Sequence, residues 1–349
     1  MAGTGSATAA ALAVDLYEAG GDQNGVLEPG EQAAIEPSWL SAAGVTCVSG
    51  TIANFTGPAG ATYNIDDATA FYGNLAAGTP VDCYHGGADC YHVDIPLPAV
   101  RPAMHWDSML TETLSTGDSH TWTIHVGATF SDVSTSDEFY PGIEAMVHHS
   151  VVEPCGSGLF CPADPLSRQV AAILLARAVA GSDAAIPMSG NVTGRGAYSC
   201  SSGGTSLFTD VLPTDSFCRH VHYLLGRYMS VPCQASPLQF CPTQSVARSD
   251  YAVWVTQGML GPGVAIPSDY TDSTTGKAYR CQLANPLLHF SDVAATDTFC
   301  SAVHYLWARA VLSGCVQTPP FQYCPTLAVE RDQSAAFIAR GFNLLLYGP

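Results

Sequence analysis

Hydrophobic and polar residues follow two different rhythms along this chain. Up to about residue 126 the apolar positions come in short runs broken by Gly, Pro, Asn and Asp, as in Gly44 to Phe55, Ala61 to Asn64, Tyr91 to Leu97 and Thr121 to Gly127. Runs of this length, rich in Thr, Val and aromatics, predict strands, and together they predict an antiparallel β-sandwich of about seven strands over residues 1–126. Beyond residue 127 the spacing becomes helical: Phe299, Val303, Leu306, Trp307 and Ala310 share one face, and Val170 to Val179 forms a second apolar stretch of the same kind.

The helical part repeats itself. Phe130-Ser131-Asp132-Val133, Phe208-Thr209-Asp210-Val211 and Phe290-Ser291-Asp292-Val293 each open a unit. A second aspartate follows at Asp137, Asp215 and Asp297, then an aromatic at Phe139, Phe217 and Phe299. Next come loops bracketed by Cys155 and Cys161, Cys233 and Cys241, and Cys315 and Cys324, with an aromatic before and a proline after each second cysteine. An arginine (Arg168, Arg248, Arg331) then precedes a second apolar helix. Each unit therefore reads as helix, tied loop, helix, with Asp137, Asp215 and Asp297 placed where an N-cap accepts an orphan backbone N–H. One helix pair cannot bury its apolar face alone, so three units are expected to pack together.

These landmarks resemble the S-layer homology family, most closely its cysteine-containing forms at the C-terminus of bacterial exported proteins. The resemblance covers about residues 127–349. It implies three divergent repeats folded as an all-α trefoil behind the β-sandwich, a multidomain chain divided at 1–126, 127–182, 183–264 and 265–349. It also implies a cell-surface or extracellular place in bacteria. In the family, the arginine before the second helix binds anionic wall polysaccharide, which would give Arg168, Arg248 and Arg331 that role. The family's Thr-Arg-Ala-Glu pattern is here Ser-Arg-Gln, Ala-Arg-Ser and Glu-Arg-Asp, so structural or subunit contacts are the expected use of these side chains.

Thirteen cysteines in 349 residues point to an oxidising compartment. The stretches ahead of repeats two and three share Thr-Gly, Ala-Tyr and a cysteine, Cys200 and Cys281, and both repeats carry a cysteine after the aromatic, Cys218 and Cys300. Repeat one lacks both, so these cysteines vary together and are expected to pair as Cys200–Cys218 and Cys281–Cys300. The three loop pairs add Cys155–Cys161, Cys233–Cys241 and Cys315–Cys324. Cys83 and Cys90 flank Gly86-Gly87, which reads as a hairpin closed by a sixth bridge, and Cys47 is the odd thiol.

Charge narrows the partners. Charged residues make up 12% of the chain, yet the net charge is −18 and Lys277 is the single lysine. Such a surface has no basic patch for phosphate, so nucleic acid is not an expected partner, and no apolar run is long enough for membrane insertion. Met1 to Ala11 lacks a basic n-region and does not read as a signal peptide. Multivalent cations suit this balance. Asp22, Asn24, Glu28 and Glu31 alternate oxygen side chains around Gly25 and resemble the start of a calcium loop. The repeat pairs Asp132 and Asp137, Asp210 and Asp215, and Asp292 and Asp297 are further calcium candidates, although turn formation and capping explain them as well. The stretch Arg101 to Asp107, including His105, supplies no nucleophile or oxyanion hole and reads as a loop packed by Trp106.

The expected function is that of a non-catalytic extracellular structural protein, stabilised by calcium, that assembles with itself into a layer, filament or tube. The alternative is a wall-anchoring module that binds an anionic polysaccharide. In the assembly reading, copies join head to tail, and the N-terminal arm, apolar from Ala9 to Leu16, adds a strand to a neighbour's sheet.

Overall fold

The computed structural model describes residues 5–18, 20–229 and 232–348. The chain forms two compact units: one runs to His148 and includes the segment from Leu345, and the other is His149–Leu344.

The first unit holds β1 (Ala7–Val14), β2 (Gln32–Ser41), β3 (Val45–Thr56), β4 (Asn64–Asp67), β5 (Thr69–Leu75), β6 (Val81–Asp82), α1 (Cys83–Gly87), β7 (Tyr91–Asp94), β8 (Asp107–Leu114), β9 (Ser119–His125) and α2 (Tyr140–His148). Two antiparallel sheets result, one ordered β1-β2-β7-β4 with β6 also on β2, the other β5-β3-β8-β9. Their inward residues share one apolar cluster that includes Trp39, Ile52, Tyr72, Tyr91, Leu110 and Trp122.

Strand alternation puts a carboxylate inside that cluster. On β8, Ser108, Leu110, Glu112 and Leu114 face inward while Met109, Thr111 and Thr113 face out. Glu112 is completely buried and accepts hydrogen bonds from Trp39 Nε1 (3.0 Å), Trp122 Nε1 (2.8 Å), Tyr91 OH (2.7 Å) and Tyr72 OH. Trp39 and Tyr91 belong to one sheet and the other partners to the second, so a single side chain ties both layers. Burial pushes its acidity weaker, and the four donors pull the other way. A Cβ on Gly50 would collide with the Tyr91 hydroxyl, so the glycine in β3 makes room for this network.

Three expectations change here. The N-terminal arm does not wait for a neighbour: β1 pairs antiparallel with β2 of its own chain, from Ala7 opposite Ser41 to Val14 opposite Ile35. An edge in the same chain is available at high effective concentration, with no second molecule to immobilise. The Gly86-Gly87 pair does not turn a hairpin. Cys83–Gly87 is a short helix capped by Asp82, whose carboxylate accepts from the His85 N–H, and it ends at Ala88 in the left-handed region. A Cβ at either glycine would overlap a β5 carbonyl, Tyr72 O or Phe71 O, so the pair serves close packing.

The third change concerns the second unit, which is not all-α. Its helices are α3 (Arg168–Ala180), α4 (Cys218–Gly226), α5 (Arg248–Leu260), α6 (Cys300–Ala308) and α7 (Arg331–Gly341). Between them lie three antiparallel hairpins: β10 (Ser189–Val192) with β11 (Gly196–Ser199), β12 (Gln234–Ala235) with β13 (Leu238–Gln239), and β14 (Asp269–Thr271) with β15 (Ala278–Arg280). The shared Thr-Gly…Ala-Tyr stretches build the first and last. Gly194 and Gly276 adopt positive φ at the turns, and Tyr198 and Tyr279 are buried beside His222 and His304.

Six disulfides are present: Cys83–Cys90, Cys155–Cys161, Cys200–Cys218, Cys233–Cys241, Cys281–Cys300 and Cys315–Cys324. Cys47 is a free, exposed thiol. No helix among the described residues is long and apolar enough to cross a membrane.

The Glu112 network generates a test. In Glu112→Gln the amide NH2 faces donors that have lost their acceptor, so the variant is expected to lose about 3 kcal/mol of stability in urea unfolding. A loss below about 1 kcal/mol would show that the network does not join the sheets, since that is within the range of an ordinary hydrogen bond.

Candidate functional site

The repeat arginines stand at the first position of α3, α5 and α7, just after the segments Asp164-Pro165-Leu166-Ser167, Gln244-Ser245-Val246-Ala247 and Leu327-Ala328-Val329-Glu330. These three segments close on one another through the backbone. Val246 N–H donates to Leu166 O (2.9 Å), Val329 N–H to Val246 O (3.1 Å) and Leu166 N–H to Val329 O (2.9 Å). Outside this ring, the first N–H groups of each helix, which have no partner within the helix itself, find carbonyls on another segment. Arg168 donates to Gln244 O (2.8 Å), Arg248 to Leu327 O (2.9 Å) and Arg331 to Asp164 O (3.1 Å). Gln169, Ser249 and Asp332 do the same to Pro242, Pro325 and Pro162 at 2.9, 3.0 and 3.1 Å.

The guanidinium groups complete the cycle. Arg168 Nε donates to Phe240 O (2.7 Å), with its guanidinium over the Phe240 and Trp254 rings at 5.0 and 4.9 Å. Arg248 Nε donates to Tyr323 O (3.0 Å), and the group lies 4.8 Å from that ring. Arg331 Nε donates to Phe160 O (2.6 Å), 4.9 Å from the Phe160 ring. Each arginine therefore stacks on the aromatic that precedes the loop cysteine of another segment, and the last reaches back to the first. All three are 5% exposed. A guanidinium that donates to a carbonyl and covers an aromatic face inside the protein is committed to packing.

The repeat aspartates are similarly occupied. Asp210 accepts from Phe240 N–H (2.8 Å) and Cys241 N–H (2.7 Å), and Asp292 from Tyr323 N–H (2.8 Å) and Cys324 N–H (2.7 Å). Each carboxylate thus fixes the start of its repeat to its own disulfide loop. Asp132 lies in the corresponding turn ahead of α2. Asp215 and Asp297 are not N-caps, because the N-cap positions of α4 and α6 are Phe217 and Phe299. Instead they close the tight turn before the helix. Asp215 accepts from Leu212 N–H (2.7 Å), Asp297 from Ala294 N–H (2.8 Å) and Asp137 from Phe139 N–H (2.8 Å).

Two cysteine–histidine groups nearby have the composition of metal sites but not the chemistry. His222 lies against the Cys200–Cys218 bridge and His304 against Cys281–Cys300. Nδ1 of each bonds the carbonyl four residues earlier, Cys218 O (2.8 Å) or Cys300 O (2.9 Å). Nε2 accepts a backbone N–H from Leu207 or His289 at 3.0 Å. Both ring nitrogens are used and both sulfurs are oxidised. Burial lowers the basicity of both rings, consistent with neutral structural histidines.

The N-terminal acidic loop is built on carboxylates that the sequence pattern did not single out. Buried Asp15 accepts from Gly21 N–H (2.9 Å) and Gln23 N–H (2.6 Å), and buried Glu36 accepts from Tyr17 N–H (2.9 Å) and Glu18 N–H (2.6 Å). Within the turn, Asp22 accepts from Asn24 N–H (3.1 Å), Asn24 Oδ1 from Val26 N–H (2.8 Å) and Glu31 from Glu28 N–H (2.7 Å). Asn24 Nδ2 and the Tyr140 hydroxyl both donate to Glu28 Oε1. Glu28 Oε2 is buried with no hydrogen-bond donor. Burial and the facing Glu31 carboxyl push Glu28 up to about 9. Two facing carboxyls need either a shared proton or a cation between them.

A shallow groove also lies beside α6, lined by Lys277, His289, Trp307 and Phe321. His289 is stacked on Trp307 at 4.1 Å and on Phe321 at 4.4 Å, and Lys277 Nζ is 5.2 Å from the Trp307 ring. This combination of ring faces and a cation was not read from the sequence, because its four members are each at least twelve residues apart.

Residues 129–171 match the S-layer homology domain. That match marks a cell-surface or cell-wall-associated protein, and six disulfides suit an extracellular setting. No curated protein matches the chain.

The arginine cycle makes a direct prediction. Arg248→Lys keeps the charge but loses the planar fork and the stack on Tyr323, and is expected to cost about 2–3 kcal/mol in urea unfolding with disulfides intact. Unchanged stability would mean that the guanidinium is dispensable for packing.

Proposed function

We propose that this chain is a non-catalytic extracellular building block with three S-layer homology repeats, and that it associates with itself at the cell surface. The burial of all three repeat arginines carries this reading. Groups that in the family face a wall polymer are here spent inside the module, which leaves a closed, disulfide-tied body with a strongly acidic surface. Such a body suits assembly regulated by cations, because a net charge of −18 otherwise keeps copies apart. Calcium is the expected ion, held by the loop of Asp22, Asn24, Glu28 and Glu31. In support, the inward oxygen of Glu28 has no donor, and a hard cation prefers several such oxygens on one turn. The repeat aspartates are weaker calcium candidates, since backbone N–H groups already fill them.

A second reading has its own observation. The Lys277, His289, Trp307 and Phe321 groove offers ring faces for a sugar and a cation for its acid group. In that reading the chain is a wall anchor, and the polysaccharide site has moved from the arginines to this groove.

Sedimentation velocity and negative-stain imaging, with calcium and with chelator, separate the two. The assembly reading expects large species in calcium that dissociate on chelation. It also expects Glu31→Gln to weaken assembly while each unit stays folded. A chain that remains monomeric in calcium but binds purified acidic wall polysaccharide, and loses that binding in Trp307→Ala, would overturn it in favour of anchoring.

A further inference from the structure

In the first unit, four side chains from three stretches of the sequence meet. Trp106 is fully buried and donates its indole N–H to Tyr63 (3.0 Å), so its neighbours His105 and Asp107 are turned the other way at the start of β8. Asp107 stands directly opposite His125 of β9 in the antiparallel register. His148, the last residue of α2, comes in from the helix side.

The distances are short. Asp107 Oδ2 is 3.0 Å from His105 Nε2, and Asp107 Oδ1 is 3.3 Å from His125 Nδ1 and 3.1 Å from His148 Nδ1. The four candidate ligand atoms all lie within 4.8 Å of one another. The imidazole ring centres are 5.4–5.9 Å apart.

Behind this cluster stands a buried carboxylate. His125 Nε2 is 2.9 Å from Glu144 Oε2, and Glu144 also accepts from Thr129 N–H (2.9 Å) and Thr129 Oγ1 (2.7 Å). A neutral imidazole has one N–H. With that proton on Nε2 toward Glu144, the lone pair on His125 Nδ1 points at the Asp107 oxygen, which is also an acceptor. Either a second proton on the ring or a cation between the two resolves the conflict, and the other ligand atoms gathered at the same point favour the cation. A carboxylate that fixes the tautomer of a histidine while its other nitrogen faces a cluster of ligands is the usual outer support of a metal-bound imidazole.

We propose that His105, Asp107, His125 and His148 form a four-ligand site for a zinc-type divalent cation, supported by Glu144 behind His125. Zinc takes nitrogen and carboxylate ligands tetrahedrally at about 2.0–2.2 Å, which places neighbouring ligand atoms about 3.3 Å apart. The separations of His125 and His148 from Asp107 Oδ1 are already near that spacing, and His105 is as close to Oδ2 of the same carboxylate. Four protein ligands leave no open position, so the site is structural and joins the end of α2 to β8 and β9. Side-chain exposures of 39% for His105, 28% for Asp107 and 20% for His148 give the ion a path from solvent. Three nitrogens distinguish this site from the all-oxygen N-terminal loop, which suits calcium. The zinc site is therefore independent of the proposed assembly.

The test uses the full chain carrying Cys47→Ser, so that no free thiol competes, stripped with chelator and dialysed. Titration with zinc chloride by calorimetry, in excess calcium, is expected to give one zinc per chain. Cobalt(II) is expected to give the intense visible absorption of tetrahedral coordination without a thiolate charge-transfer band. His105→Ala and His148→Ala are each expected to weaken zinc by well over tenfold, and Glu144→Gln by roughly tenfold or more. His105 is on the surface, so its variant should fold, with an unchanged circular dichroism spectrum as the check. Absence of stoichiometric zinc binding in calcium, or His105→Ala and His148→Ala proteins that bind as tightly as the parent, would overturn the proposal.

Discussion

Three backbone hydrogen bonds, among Leu166, Val246 and Val329, are the constraint on which the second unit depends. They are made by residues from three distant stretches, and each segment serves as donor to one partner and acceptor to the other. Helix starts expose N–H groups that must be satisfied somewhere. Here they are satisfied by the cyclic arrangement itself, and the arginines that begin α3, α5 and α7 extend the same cycle to the aromatic side chains of the disulfide loops. Opening any one junction leaves buried donors on two segments. The cycle should therefore behave as one cooperative element.

Buried acids form a second theme. In a chain with a net charge of −18, several carboxylates lie inside, and each is surrounded by donors. Glu112 takes two indoles and two phenols, Asp15 and Glu36 wind the N-terminal loop, and Glu144 meets a histidine and a threonine. A buried carboxylate is costly alone and organising when its lone pairs are filled. These acids act as the polar centres around which strands and loops with few cations can be fixed.

The helical repeats could be read from sequence because their landmarks occur three times, and self-alignment separates what is shared from what varies. Strand alternation puts Glu112 on the inward face of β8, but β8 is not among the strands the sequence pattern predicted, and the number of its partners depends on two sheets meeting. Other features were hidden for physical reasons. The arginines were expected to make structural or subunit contacts, but their partners stayed hidden because the aromatic rings they cover belong to other segments. Gly86-Gly87 looked like a turn because close approach to β5 and turn formation both call for glycine. His105 and Asp107 looked like part of an ordinary loop. Only strand register and the end of α2 bring His125 and His148 to them.

Native-state hydrogen exchange at Leu166, Val246 and Val329 reads each bond of the ring separately. If the ring holds the second unit together, these three amides are among its slowest. They then share one opening free energy, which falls equally for all three as denaturant is added. If one of them exchanges much faster while the other two stay protected, the ring opens piecewise and does not hold the unit together.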